Sequence, residues 1–245
     1  MSKSSTLEHI SLDALEVAAL FASTDQARGV INCVAVHTVA SIPGASKDKA
    51  AFSETFYVGT DSHVLGVVST ITSYPPAAMI ATLNKAGTTS SATLIPAGLV
   101  HKAYKLAGPV RRWDPGLETV RFELAEMNGS GPAGRYAQFT VSDGSVCELA
   151  GQGDYPNFVG LLQRDQPLMV DSVSYNPDKL AVIFKAAKVL SGSRDDTIVS
   201  YFGQSCGNDK HGSPLRAGYW YATGDHGTLL AIAMPIRNAE GLVWS

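Results

Sequence analysis

Cysteine is scarce in this chain. Cys33, Cys147 and Cys206 are widely spaced, odd in number and form no C-x-x-C pair, so neither a zinc knuckle nor a dithiol redox centre is written into the sequence. They are expected to be buried small hydrophobes or weakly reactive thiols. Long apolar runs are missing as well. None approaches the ~20 residues that a bilayer span requires, and the first residues, Met1-Ser2-Lys3-Ser4-Ser5-Thr6, lead into no apolar signal core. A cytoplasmic protein with no membrane partner is the expectation. A basic excess is absent too: the net charge is −3 and the pI about 6.0, which argues against tight capture of nucleic acid by phosphate neutralisation. No G-x-x-x-x-G-K or G-x-G-x-x-G sequence occurs, so no nucleotide cradle of those kinds is present and no cofactor is expected. What remains is an ordinary globular composition, 45% hydrophobic and 17% charged over 245 residues, enough to bury a real core.

The chain repeats itself. Three segments share a plan of short strand, polar or proline-marked break, amphipathic helix and β-rich sequence. In the first, His9-Ile10-Ser11 precedes a helix over about 12–22, with Ser11 as N-cap and Asp13 in the first turn. In the second, residues 91–95 form the strand, Pro96 opens a helix through Leu106, and Gly108-Pro109 stops it. In the third, residues 172–175 form the strand, Asn176 is the N-cap, and a helix runs from Pro177 to about Leu190. Leu12, Leu99 and Leu180 hold matching helix positions, at intervals of 99 − 12 = 87 and 180 − 99 = 81, too long for a solenoid repeat and suited to a supersecondary module. Strand-like runs follow at 29–36, 55–58, 64–70, 119–124, 136–141, 198–202, 219–222 and 228–233. Loops are expected at 40–53, 73–90, 126–134 and 205–215. The module reads as βαβββ, three times over, in an α+β fold.

On that frame three short motifs carry a resemblance. Thr60-Asp61-Ser62-His63-Val64-Leu65 is similar to a T-D-G-H-R-L loop, Gly153-Asp154-Tyr155-Pro156-Asn157-Phe158 to an F-P-[DN]-[FY] segment, and Ile232-Ala233-Met234-Pro235-Ile236-Arg237 to a V-M-P-M-R-L ending. All three belong, in this order, to bacterial-type DNA sliding clamps, the β subunits of DNA polymerase III. The resemblance implies a DNA-clamp fold of repeated βαβββ half-domains, with helices on one face of antiparallel sheets. It implies a clamp domain of two halves over 1–163 and a single half-domain with a C-terminal tail over 164–245. Against the family the chain is shortened, which points to a viral origin. It also departs from the family in carrying Ser62 for Gly and Val64 for Arg, and in continuing past Arg237 to Ser245.

Carried over by position, the resemblance gives a hydrophobic pocket for polymerase and clamp-loader peptides, made of Thr60, Ser62, His63, Leu65, Pro156, Leu161, Ile232, Met234, Pro235, Ile236 and Arg237. The residue types fit that use. The aliphatic side chains offer apolar walls, Met234 adapts to varied partners, the prolines fix backbone shape, and His63 with Arg237 supplies a polar rim. The competing account makes Leu65, Ile232 and Met234 plain core residues.

The helices carry the second signal. Leu180, Ile183, Phe184, Ala187 and Leu190 form one apolar face, with Lys185 and Lys188 on another; Leu99, Val100, Ala103 and Leu106 do the same against Lys102 and Lys105. Arg111, Arg112 and Arg194 follow the two helices. The resemblance places these seven basic residues toward the phosphates of encircled double-stranded DNA, although an ordinary solvated face accounts for them equally well. The first helix has no Lys or Arg. A protein that encloses DNA needs no strong attraction to it, so the net charge does not exclude what the resemblance implies, a processivity factor and not an enzyme. A ring of twelve half-domains implies a homo-oligomer, four copies of three or, on a two-domain reading, three copies. Two alternatives stand beside this: a clamp-fold binding module that forms no ring, and a metal-assisted hydrolase using Asp61 and His63 or Asp225 and His226.

Overall fold

The computed structural model describes residues 5–40, 53–86, 92–111, 119–127, 134–141, 144–149, 153–162, 175–191, 198–208 and 214–234. Strand β1 (Ser5–Ser11) runs straight into helix α1 (Leu12–Ala19). Ser11 is the N-cap, its Oγ accepting from the Ala14 N–H at 3.2 Å. The helix is shorter than its apolar pattern predicts. The chain turns back where the Ser23 N–H donates to the Ile31 carbonyl at 2.8 Å, and a 3-10 segment, Gln26–Asn32, occupies the start of the strand expected at 29–36.

Three antiparallel strands follow, β2 (Cys33–Ala40), β3 (Ser53–Thr60) and β4 (Val64–Ser69). The chain then forms α2 (Pro76–Ala86), β5 (Thr93–Pro96) and α3 (Ala97–Arg111). A second meander comprises β6 (Thr119–Met127), β7 (Gly134–Val141) and β8 (Gly144–Leu149). After the single turn α4 (Val159–Leu162) come α5 (Pro177–Ser191) and a third meander, β9 (Ile198–Asn208), β10 (Pro214–Gly224) and β11 (Gly227–Ala233). The repeat is therefore real as helix plus three-strand meander: α1 with β2–β4, α3 with β6–β8, and α5 with β9–β11. These are units 1, 2 and 3 below. Of the lead strand expected at 172–175, only Tyr175 lies within the described residues.

Units 1 and 2 exchange their lead strands. β1 joins the second meander in a four-stranded sheet, β1-β6-β7-β8, and β5 joins the first. Unit 3 extends the first sheet to seven strands, β5-β2-β3-β4-β11-β10-β9, through antiparallel pairing of β4 with β11. Around that junction the order is a palindrome: last, middle and first strand of a meander read outward on both sides.

The period-2 pattern of β4 and β11 sorts side chains to two cores. Val64, Val68, Leu229 and Ala231 face one cluster with α1, α3 and α5. Leu65, Val67, Leu230 and Ile232 face the other, with α2 and α4. The three repeat helices thus share one face, as an α+β fold of this kind requires. α1 lies close to the sheet because Gly59 and Gly66, partners across β3 and β4, have no side chains. A Cβ at Gly59 would stand 1.9 Å from the Ala18 carbonyl oxygen, and one at Gly66 2.4 Å from the Phe21 ring.

Several elements differ from the sequence reading. The expected loop at 73–90 contains α2, whose Met79 and Leu83, one turn apart, are fully buried; Pro76 suits a first helical position, and alanine-rich sequence supplies the propensity. α3 continues through Gly108-Pro109 to Arg111, since proline in a last turn removes only one backbone hydrogen bond. β9 and β10 run into the expected loop at 205–215, held by mutual pairing out to Asn208 and Pro214. Phe184, assigned to the apolar face of its helix, is 51% exposed. Ile183, Ala186, Ala187 and Leu190 face inward instead.

Candidate functional site

The turn from β3 to β4 organises the first motif. Thr60, buried, donates through Oγ1 to the Val64 carbonyl at 2.8 Å and accepts from the Ser62 N–H at 3.1 Å. Asp61 Oδ1 accepts from the N–H groups of His63 and Val64 at 2.8 and 2.9 Å, and its Oδ2 accepts from Lys179 of α5. Burial alone would push this carboxyl up. The Lys179 ammonium and the two backbone donors outweigh that and hold it below its usual value. Ser62 has φ 78°, a conformation that favours glycine. Its hydroxyl accepts from Arg28 Nη1 at 3.2 Å, and the same nitrogen reaches the Asp61 carbonyl at 3.3 Å.

The second and third motifs converge on this turn. The Met234 N–H donates to the His63 carbonyl at 2.8 Å, clipping the end of β11 to it. Leu65 pairs in register with Ile232, and both are buried. Leu161 and Met234, half-buried, pack on the same cluster. Two tyrosines hold the segment 153–162 over the sheet. Tyr155 donates to the Val58 carbonyl at 3.2 Å, and Tyr219 to the Leu161 carbonyl at 3.0 Å. The fold therefore gathers Thr60, Leu65, Leu161, Ile232 and Met234 on one side of the seven-stranded sheet, with Ser62, His63 and Pro156 exposed. Pro235, Ile236 and Arg237 lie outside the described residues.

Sequence reasoning missed Lys179, Arg28 and Tyr219. Each reaches the site from far along the chain, and no local pattern announces such a partner. It also missed His37, buried beside Phe158 with ring centroids 5.4 Å apart and with neither ring nitrogen hydrogen-bonded among the described residues. Burial pushes its pKa down to about 4.

Of the two Asp–His pairs, Asp61 is engaged by the turn and by Lys179, while His226 Nδ1 faces buried Asp13 Oδ2 at 3.8 Å and its backbone N–H donates to the Leu190 carbonyl. Among the described residues no group of three or more His, Cys, Asp or Glu could hold a metal, and no helix is long and apolar enough to cross a membrane.

On the opposite face α1 lies between α3 and α5, buried along its length except for half-buried Glu16 and Leu20. A helix in that position has no surface on which to carry lysines. Lys102 and Lys105 of α3 and Lys185 and Lys188 of α5 are all exposed, a pair on either side of α1. Glu148 of β8 accepts from Lys102 at 3.3 Å. Arg111 ends α3, and Arg112 and Arg194 lie outside the described residues.

Comparison with known proteins adds the following. No family model matches the sequence, and no curated protein does. Solved structures that it resembles include those of DNA polymerase III β subunits. Against Caulobacter crescentus pol III beta the identity is 14% and the TM-score 0.45, over 97% of this chain and 67% of that one. Against the DnaN sliding clamp of Bartonella birtlesii bound to griselimycin the values are 14% and 0.45, over 96% and 66%. Against the Borrelia burgdorferi β subunit in complex with a natural product they are 8% and 0.40, over 98% and 65%. The chain thus spans about two thirds of the length of each.

Proposed function

We propose that this protein is a DNA sliding clamp, a non-catalytic processivity factor. The observation that supports it most is the opposition of two surfaces across one sheet. One face carries the gathered motif residues, buried Leu65 and Ile232 and half-buried Met234, with Ser62, His63 and Pro156 exposed beside them. The other carries α1, α3 and α5, with a lysine pair on either side. In this reading the helix face lies along duplex DNA. Its contacts are weak enough for sliding, and the pocket holds peptides of a polymerase and a clamp loader. A tethered polymerase then has an effective concentration near the template of order millimolar. Residues 1–163 form the two-unit clamp domain and 164–245 the single unit. Ring closure needs further copies, and four chains of three units supply twelve. The protein acts in the cytoplasm, where the DNA and its polymerase are.

Two measurements test the reading. Fluorescent peptides taken from a replicative polymerase and a clamp loader should bind at micromolar concentration, and Met234→Ala should weaken them about tenfold, roughly 1.4 kcal/mol. Protein loaded on nicked circular DNA should survive gel filtration at high salt and be lost when the circle is cut. Absence of peptide binding would remove the pocket. Equal loss from circular and linear DNA would remove the ring.

The net charge of −3 and the Glu148 partner of Lys102 favour one second reading, a clamp-fold adaptor that binds replication proteins without encircling DNA. Peptide binding without topological retention would select it.

A further inference from the structure

Three elements hold the turn between β3 and β4. Arg28 of the 3-10 segment reaches the Asp61 carbonyl and the Ser62 hydroxyl from an exposed position. The end of β11 is seated on the turn through the Met234 N–H and the His63 carbonyl. The third hold is Lys179, whose ammonium meets Oδ2 of Asp61 while Oδ1 accepts from the N–H groups of His63 and Val64. The Val64 N–H and the His63 carbonyl belong to one rigid peptide plane. Asp61 holds one side of that plane and Met234 sits on the other.

Neither helix formation nor the docking of unit 3 calls for Lys179. It lies in the first turn of α5, which begins at Pro177, and the unsatisfied N–H groups of a helix start disfavour a cation. Docking is already provided by the six register pairs of β4 with β11 and by Ile183 and Ala186, fully buried in the core shared with α1. Lys185 and Lys188, further along α5, are exposed, whereas Lys179 is drawn inward to Asp61. The start of the helix is itself fixed. Tyr175 stands edge-on to Trp220 of β10 with ring centroids 5.4 Å apart, and the Lys179 N–H donates to the Asn176 carbonyl at 3.0 Å.

We propose that Lys179 is a positioning residue for the peptide site: through Asp61 it sets the peptide plane between His63 and Val64 on which Met234 is seated. Its side chain acts on the turn and does not touch the bound peptide. Unit 3 thereby sets the shape of a turn that unit 1 builds. The site takes Leu65 from unit 1 and Ile232 and Met234 from unit 3, so it is complete only when the two units are docked. The inference rests on the clamp reading for its ligand, but not for its geometry.

A double-mutant cycle on the full chain tests this with two readouts. One is the anisotropy of fluorescent peptides taken from a replicative polymerase and a clamp loader. The other is hydrogen exchange of the Met234 amide by NMR. Lys179→Met should weaken the peptides about tenfold, the scale on which a supporting side chain governs a site, and should speed exchange at Met234. Lys179→Arg should restore both. Asp61→Asn keeps an oxygen for the two backbone donors but loses the charge, and should weaken binding alike. Adding Lys179→Met to it should then change affinity by less than about twofold.

A lysine that only stabilised the fold would speed the slowest amides of β11 and leave both Met234 exchange and peptide affinity unchanged; that pattern overturns the proposal. So does a loss that persists in full beside Asp61→Asn, which would place Lys179 against the peptide itself, and so does failure of arginine to rescue. If the wild-type chain binds neither peptide, the clamp reading fails and Met234 exchange alone decides. Faster exchange in Lys179→Met, restored in Lys179→Arg, upholds the positioning of the turn, and unchanged exchange overturns it.

Discussion

Lys179, in the first turn of α5, donates to the Asp61 carboxylate on the turn between β3 and β4, a pairing across 118 positions of sequence. It fastens unit 3 to the loop that shapes the candidate pocket. Both side chains are less than a third exposed, so water screens the pair only in part. Lys179→Met should cost about 1–2 kcal/mol at pH 7, below the roughly 1.5–3 kcal/mol upper range of a hydrogen bond to a charged group because water still reaches the pair. The folded carboxyl titrates below its ordinary value of 3.8. The contribution is therefore complete above pH 3.8 and is lost as the pH falls through the lower folded value. Urea midpoints of the two proteins should differ at pH 7 and converge in strong acid; a difference that persisted there would assign the effect to packing.

His37 predicts the opposite half of the acid behaviour. Its folded pKa, about 4 against 6.5, means that the unfolded chain takes up a proton first as the pH drops. Stability is unaffected above pH 6.5 and declines between 6.5 and 4. At pH 5 the loss should be on the order of 2 kcal/mol. His37→Phe, which keeps a ring against Phe158, should abolish that decline. Parallel melting curves of wild type and variant from pH 7 to pH 5 would refute it.

Gly59→Ala should destabilise the fold by about 3 kcal/mol, the upper range for overpacking, because the obstacle is the Ala18 carbonyl and not a side chain that can turn away. Gly98→Ala is the control. It sits in α3 with nothing within 4 Å of its added carbon and should gain up to about 0.5–1 kcal/mol from helix propensity. Calorimetric melts of the two variants should move in opposite directions.

The lysines can be separated by salt. If Lys105 and Lys185 face phosphates, each alanine variant should lower the slope of log affinity against log salt for duplex DNA by about 0.9. Lys102→Ala should lower it less, because Glu148 already accepts from that ammonium. Anisotropy titrations between low and moderate salt read the slope directly, and equal effects at Lys102 and Lys105 would contradict the assignment.

Much of the architecture could be read from local pattern. Ser11 before Leu12, Pro177 after Asn176 and the alternation in 64–70 and 228–233 are one-dimensional signals, and they placed two helix starts and two strands of the seven-stranded sheet. The motif residues Leu65 and Ile232 proved to be register partners, which the sequence order alone could not state. Phe184 was misplaced because helical periodicity reports which residues share a face but not whether a neighbour exists to cover it. Lys179 and Arg28 were invisible for a related reason: each satisfies a turn distant in sequence, Lys179 from another unit and Arg28 from 33 positions away, and only the tertiary fold brings them there. α2 was hidden by its flanking Ser, Pro and Gly residues, whose turn propensity masked the spacing of Met79 and Leu83.

The palindromic order around β4 and β11 has a consequence for polarity. These two strands are the last of their meanders and run antiparallel. Each strand of unit 3 therefore runs opposite to its counterpart in unit 1, and the two meanders cancel each other's direction across the junction.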